Sequence, residues 1–195
     1  MRNEHGYTLL EIIATLAVIG LLLLITVPAF ATYRRHASVR AAAFETMAMF
    51  REVRQRAITT GRQTGVKFTR DGDRWTYARY EDGDGDGVRN DDIRSGIDHR
   101  LGPSSPLMPQ LLVAKIGLLP YEIHDPDDDV IAPTDEPVAF NRSAICSFSP
   151  LGSGTPGSIY IIDETGELFC VRVVGSTGRA RFLRYNSGSR RWEPR

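Results

Sequence analysis

Lysine is nearly missing from this chain: only Lys67 and Lys115 stand among 24 basic residues, the rest being arginine. A GC-rich genome accounts for that bias without any selection for phosphate binding. The 24 basic residues meet 24 acids, so no whole-molecule field draws the protein to nucleic acid or acidic lipid, and any charge effect must be local. Cysteine is equally scarce, with Cys146 and Cys170 alone; neither has a third ligand type close in sequence to suggest zinc. The histidines His5, His36, His99 and His124 are scattered and form no H-E-x-x-H pair. Nucleophile elbow, Walker loop and dinucleotide fingerprint are all absent, so catalysis has no motif to rest on. No internal repeat is visible, which argues against a solenoid.

Charge is also absent from residues 12–31. As a helix, about 20 residues at about 1.5 Å each span roughly 30 Å, the thickness of a bilayer's hydrocarbon core. Glu11 stands at the start of this run and Pro28 within it. A carboxylate at the centre of a membrane helix costs about 2.5–3.5 kcal/mol on insertion scales, so an acid bordering such a run needs a partner. Proline removes one backbone donor and clashes with the preceding turn, which predicts a kink or local melting at Pro28. Two plainer readings are an unprocessed anchor and a secretory signal peptide cut after Ala31, since Ala29-Phe30-Ala31 is an A-x-A-like site. Against the signal peptide stand Glu11 and a run longer than the usual h-region of about 7–15 residues.

Gly6-Tyr7-Thr8-Leu9-Leu10-Glu11 resembles the processing site of type IV prepilins and type II secretion pseudopilins. The resemblance implies a leader over residues 1–6, cleavage between Gly6 and Tyr7 by a prepilin peptidase, and methylation of the new N-terminus at Tyr7. It places the family's assembly glutamate on Glu11, where it pairs with the N-terminal amine of a neighbouring subunit, and the family's helix proline on Pro28. It also implies a single-pass protein of the bacterial inner membrane with its head in the periplasm. Arg34, Arg35 and Arg40 after the span, against Arg2 before it, would favour the opposite topology by the positive-inside rule; the resemblance outweighs that count.

Beyond the span, Val39, Ala43, Met47, Phe50, Val53 and Ala57 recur every three or four residues, with charged residues mostly between them. This predicts an amphipathic half-helix over 36–61, continuing the membrane half over 7–35, and ending at Thr59-Thr60-Gly61. Residues 62–195 form one β-rich head, about 130 residues and large enough for its own core. Strands are expected at 64–70 and 75–80 around Asp71-Gly72, and at 144–148, 158–163, 168–174 and 179–185. Residues 101–137, rich in proline and carrying Asp125-Pro126-Asp127-Asp128-Asp129, read as long surface loops with a short strand near 110–116. The fold class is α+β: a long N-terminal helix packed on an antiparallel sheet.

Ser147-Phe148-Ser149-Pro150-Leu151-Gly152, Gly157-Ser158-Ile159-Tyr160-Ile161 and Gly175-Ser176-Thr177-Gly178-Arg179-Ala180-Arg181 look like the head of H-type minor pseudopilins and their FimT-like minor-pilin relatives. That resemblance implies a structural subunit of a type II secretion filament, assembling with other pseudopilins. The alternative is a minor pilin of a type IV pilus that binds DNA, because Gly178-Arg179-Ala180-Arg181 matches the Gly-Arg-x-Arg motif linked to DNA capture. Residues 172–195 hold seven arginines against Glu193 alone, a local basic patch. On one strand face, Arg179 and Arg181 would bridge adjacent phosphates. A strand with a solvated arginine face is the plain alternative.

The loop 81–94 carries Asp82-Gly83-Asp84-Gly85-Asp86-Gly87-Val88-Arg89-Asn90-Asp91-Asp92. No cofactor is required by the expected function, but alternate acids converge on a cation. Asp82, Asp84, Asp86, Gly87 and Val88 fit the first seven positions of an EF-hand-type calcium loop, whereas Ile93 replaces the bidentate acid at position twelve. The spacing is closer to short thrombospondin-type or dockerin-like calcium loops, with Asn90, Asp91 or Asp92 closing the shell. A solvated acidic turn is the alternative. Cys146 and Cys170, both on the exported side, permit a disulfide whose loop of about 25 residues would add roughly 3 kcal/mol; two buried thiols are the other option.

Overall fold

Helix-forming apolar residues without a break, then one-sided periodicity, give a single α-helix, α1, over Leu9–Thr60. The computed structural model describes residues 9–72, 74–108 and 114–194. The helix runs through position 28 without interruption, so the expected melting at Pro28 does not occur. A proline withdraws one donor, and the many bonds on either side carry so long a helix past it. Gly61, at φ +66°, supplies the left-handed residue that ends it. The chain divides into two compact units, 1–37 and 38–195.

Within the second unit, β1 (Thr64–Asp71) and β2 (Arg74–Glu81) form the expected hairpin, with Asp71 opposite Arg74 and Gly72 at φ +59°. A short helix α2 (Asn90–Ser95) follows, then six two-residue strands: β3 (His99–Arg100), β4 (Ser105–Pro106), β5 (Lys115–Ile116), β6 (Ile123–His124), β7 (Val130–Ile131) and β8 (Val138–Ala139). The longer strands β9 (Ile145–Phe148), β10 (Gly157–Ile162), β11 (Leu168–Val174), β12 (Arg179–Asn186) and β13 (Arg191–Pro194) complete the head. One antiparallel sheet has the order β3-β2-β1-β9 with β4 on β2; the second runs β13-β12-β11-β10-β5 with β8 also on β10; β6 and β7 pair separately. A long apolar helix followed by antiparallel sheets is the α+β arrangement of a pilin-like fold.

The predicted helical stripe is the buried one. Val39, Ala43, Met47, Phe50, Val53 and Ala57 join Val66, Phe68 and Phe148 from the first sheet and Ile159, Val171 and Phe182 from the second in one core. Phe50, 1 % exposed, lies at its middle, with ring centroids 6.3, 5.7 and 6.1 Å from Phe68, Phe140 and Phe148. Burying such a ring contributes roughly 1.5–3 kcal/mol.

Alternate residues of β11 face the other way, and there a second, smaller core forms from Leu119, Ile123, Tyr160, Leu168, Cys170 and Tyr185. This corrects the reading of 101–137 as surface loops. Leu107 and Ala114 are buried in the helix-side core, whereas Leu119 and Ile123 are buried on the other face, because a two-faced sheet needs cover on its far side as well. The expected strand near 110–116 is reduced to β5, with 109–113 outside the described residues. The disulfide expectation is also corrected. Cys146 and Cys170 are both free and buried. Cys146 belongs to the helix-side core and Cys170 to the far-side one, so the second sheet separates their thiols.

Candidate functional site

In the first unit, Leu9–Val27 has a mean hydropathy of 2.6 and none of it is buried. At about 1.5 Å per residue this window reaches a little under 30 Å, enough for a bilayer core. Its hydroxyls turn inward: Thr15 Oγ1 donates to the Ile12 carbonyl and Thr26 Oγ1 to the Leu22 carbonyl, each at 2.8 Å. Polar groups satisfied within the helix are compatible with lipid. Glu11 lies in the first turn, where the N-terminal end of the helix dipole favours a carboxylate. Gly6 and Tyr7 lie outside the described residues.

The acidic loop is a cage around Asp82. That side chain is buried and accepts from the backbone N–H groups of Asp84 (3.2 Å), Gly85 (2.7 Å) and Gly87 (2.9 Å). Gly85 and Gly87 have φ of +93° and +102°, which any other residue would adopt only with strain. One carboxylate oxygen from each of Asp82, Asp84 and Asp86 lies within 4.8 Å of the others. Oxygens bound to one calcium ion at about 2.3–2.6 Å are at most about 5 Å apart, so the three fit a shared cation. Asp86 is exposed, and partial loss of solvation within the loop, with Asp84 and Asp92 nearby, holds its carboxyl above its ordinary range despite Arg89; the same cause, with Asp84 and Asp98, acts on Asp92.

The remaining predicted ligands disperse. Asp91 pairs with Arg94, and Asn90 Nδ2 donates to the Ser143 carbonyl at 3.2 Å. Val88 buries its side chain against Gly65. Arg89 pairs with Asp86 and competes with any cation there. Sequence reasoning missed Asp98. It is 3 % exposed and accepts from Gly83 N at 3.3 Å and Arg89 N at 2.9 Å, tying both ends of the loop. Only the tertiary path through α2 brings it there, so no local signal marks it.

At the C-terminus, the β11–β12 register sets Arg172 opposite Arg181 and Val174 opposite Arg179. Arg179 and Arg181 thus share the face turned away from α1, and both are exposed. Arg172 is held by Asp125 at 3.4 Å, by Asp127, and by Ser158 Oγ at 3.1 Å. Burial lowers its guanidinium pKa, opposed by Asp125. Arg184 pairs with Glu167 at 2.5 Å, and Glu193 accepts from Asn186 at 2.7 Å. The basic tail counted in the sequence is therefore partly neutralised.

Gly178 has a structural duty. Its φ is +59°, its N–H donates to the Val174 carbonyl at 2.8 Å, and a Cβ there would press into the Gly152 carbonyl and approach Arg54 Nε to 3.0 Å. Arg54 Nε itself donates to that carbonyl at 2.9 Å. Gly154 N donates to the Gly175 carbonyl at 2.8 Å. Two of the glycine-bearing segments that suggested a family, 147–152 and 175–181, thus meet at one corner of the head. β13, which the sequence reading missed, brings Trp192 over Tyr160 and Tyr185 at 5.9 and 5.2 Å, its indole N–H donating to the His124 carbonyl at 2.7 Å.

Residues 1–27 match the model of the prokaryotic N-terminal methylation motif. No curated protein and no solved structure matches the chain. The motif and the apolar helix behind it support a type IV pilin-like protein. Proteins of this motif family are structural rather than enzymatic, are processed by a prepilin peptidase, and assemble with pilins. The helix is consistent with the membrane anchor of such a protein.

Proposed function

We propose that this chain is a minor pseudopilin of the H-type, a structural subunit that joins the short periplasmic filament of a type II secretion system from the inner membrane. The observation that carries the reading is the methylation motif over residues 1–27 running into an apolar helix whose second half packs on a β-rich head. The resemblance of 147–152, 157–161 and 175–181 to H-type heads is what favours the H-type assignment, and the first and last of those segments pack together. In this reading Gly6-Tyr7 is cut and Tyr7 methylated, and Glu11 sets subunit register. A type IV pilus minor pilin that captures DNA is the second reading, favoured by the exposed, same-face Arg179 and Arg181. The neutralisation of Arg172 and Arg184 weighs toward the secretion filament. Calcium, held by Asp82, Asp84 and Asp86 with Asp92 beside them, would rigidify the loop between β2 and α2.

The test is the intact mass and N-terminal sequence of the protein purified from native membranes, with its co-purifying partners. A methylated Tyr7 and secretion-system partners are expected; a mature end after Ala31 overturns the filament reading, and pilus partners replace the first reading by the second. Glu11→Ala should be processed and inserted but recovered without its filament.

A further inference from the structure

On the far face of the second sheet, a groove of about 340 Å3 lies between β11, β12 and β13 and the segment leading from β6 to β7. Arg172 and Arg181 stand directly opposite each other on its floor. Like charges in that arrangement repel, and each needs an anion. Arg172 has two, Asp125 and Asp127. Arg181 is exposed and makes no ion pair among the described residues. Both acids sit on Arg172, so the two arginines are balanced in formal count while the charge of Arg181 itself is left without a partner acid among the described residues.

The walls are apolar and stiff. Pro126, Pro156 and Pro194 line the groove with Leu183 and Trp192, and the Trp192 ring is fixed by its bond to the His124 carbonyl. Proline offers no N–H and no backbone freedom at φ, so these walls present surface to a ligand at little ordering cost. A carboxylate is the anion this floor already accepts, since Asp127 occupies Arg172 from the same rim. A nucleic-acid strand suits it poorly. Asp127, Asp128 and Asp129 follow one another along the segment beside the groove, and a line of phosphates would pass against them. A single acid flanked by apolar residues meets Arg181 alone.

We propose that this groove is a docking site for an extended peptide segment of a partner protein, carrying one aspartate or glutamate that pairs with Arg181 while its apolar neighbours lie against Trp192 and the prolines. The guanidinium fork takes a carboxylate through two parallel hydrogen bonds. Asp127 is the internal counterpart of the ligand; Asp125 keeps one nitrogen of Arg172, so releasing Asp127 should offer only the Nη2 side as a second anchor. The inference goes beyond the subunit role above and holds for either filament.

The test uses full-length protein in detergent micelles against an array of synthetic octapeptides with apolar and proline flanks and a central Asp, Glu, Asn or Gln. Bound sequences should be enriched in the acids at least tenfold over their amides. Arg181→Gln should abolish that enrichment, and Asp127→Asn should strengthen acidic binding several-fold by removing the more exposed of the two acids on Arg172. Equal binding of acids and amides, or acid preference that survives Arg181→Gln, overturns the proposal. So does an oligothymidylate that displaces the peptides at lower concentration than they bind, which would make the surface a nucleic-acid site. A change in oligomeric state on Arg181→Gln without peptide binding would give the groove to a second copy of the chain instead.

Discussion

Replacing Gly178 by alanine separates a structural glycine from a ligand-contacting one. Gly178 is held at φ +59°, and Gly166, in the preceding hairpin turn, at φ +80°. Any L-residue at such angles costs about 1–2 kcal/mol. A Cβ added to Gly166 would meet nothing within 4 Å, whereas the same atom on Gly178 would press into the Gly152 carbonyl oxygen beside Arg54. Relief requires moving the 150–154 segment away, which breaks the Arg54 Nε bond to that carbonyl at 2.9 Å. A hydrogen bond to a charged group contributes about 1.5–3 kcal/mol. Gly178→Ala should therefore lose about 2.5–5 kcal/mol and Gly166→Ala about 1–2 kcal/mol. Against a typical domain stability of about 5–15 kcal/mol, the first loss is severe and the second mild. The assay is urea unfolding of the full chain in micelles, followed by the fluorescence of Trp75 and Trp192. In an Arg54→Ala background Gly178→Ala should cost less, because the two share one contact. Equal losses at Gly166 and Gly178, or additivity with Arg54→Ala, would refute the packing argument and return Gly178 to a role in ligand contact.

Calcium at ten times its dissociation constant should raise the unfolding free energy of the wild-type chain by about 1.4 kcal/mol, and Asp84→Asn should remove most of that gain; a midpoint unmoved by calcium or chelator rules the site out. Because Asp86 and Asp92 take up protons more readily than ordinary carboxylates, calcium binding should weaken as pH falls from a higher starting point than free aspartate would give, read as the calcium-dependent shift at successive pH values. Burial raises the pKa of both thiols. The folded chain should resist maleimide until denatured, and reductant should leave stability unchanged. The same shift has a sign: the unfolded thiols ionise above about pH 8.5 while the folded ones stay neutral, so stability should decline as pH rises past that value. Rapid labelling of the native chain would contradict the burial of Cys146 and Cys170.

What could be read from the residues was periodic or local. The stripe from Val39 to Ala57 follows one face of a helix whatever it packs on, and alternation with a turn between gives β1 and β2 without any tertiary knowledge. Neutralisation is different in kind. Arg172 counts as part of a basic tail until the register of β11 and the path of the segment after β6 bring Asp125 and Asp127 onto it, a contact some 45 residues apart in sequence. The acidic loop shows the same limit. Asp91 belongs to the motif by spacing and leaves it by geometry, because α2 begins at Asn90 and turns Asp91 toward Arg94. Asp98 enters from outside the motif for the same reason. Charge counted along a chain therefore gives an upper limit to the charge a site presents. On the far face of the second sheet that limit falls from a cluster of arginines to Arg179 and Arg181, with the groove lying at Arg181, which is why a single carboxylate, rather than a polyphosphate strand, suits it.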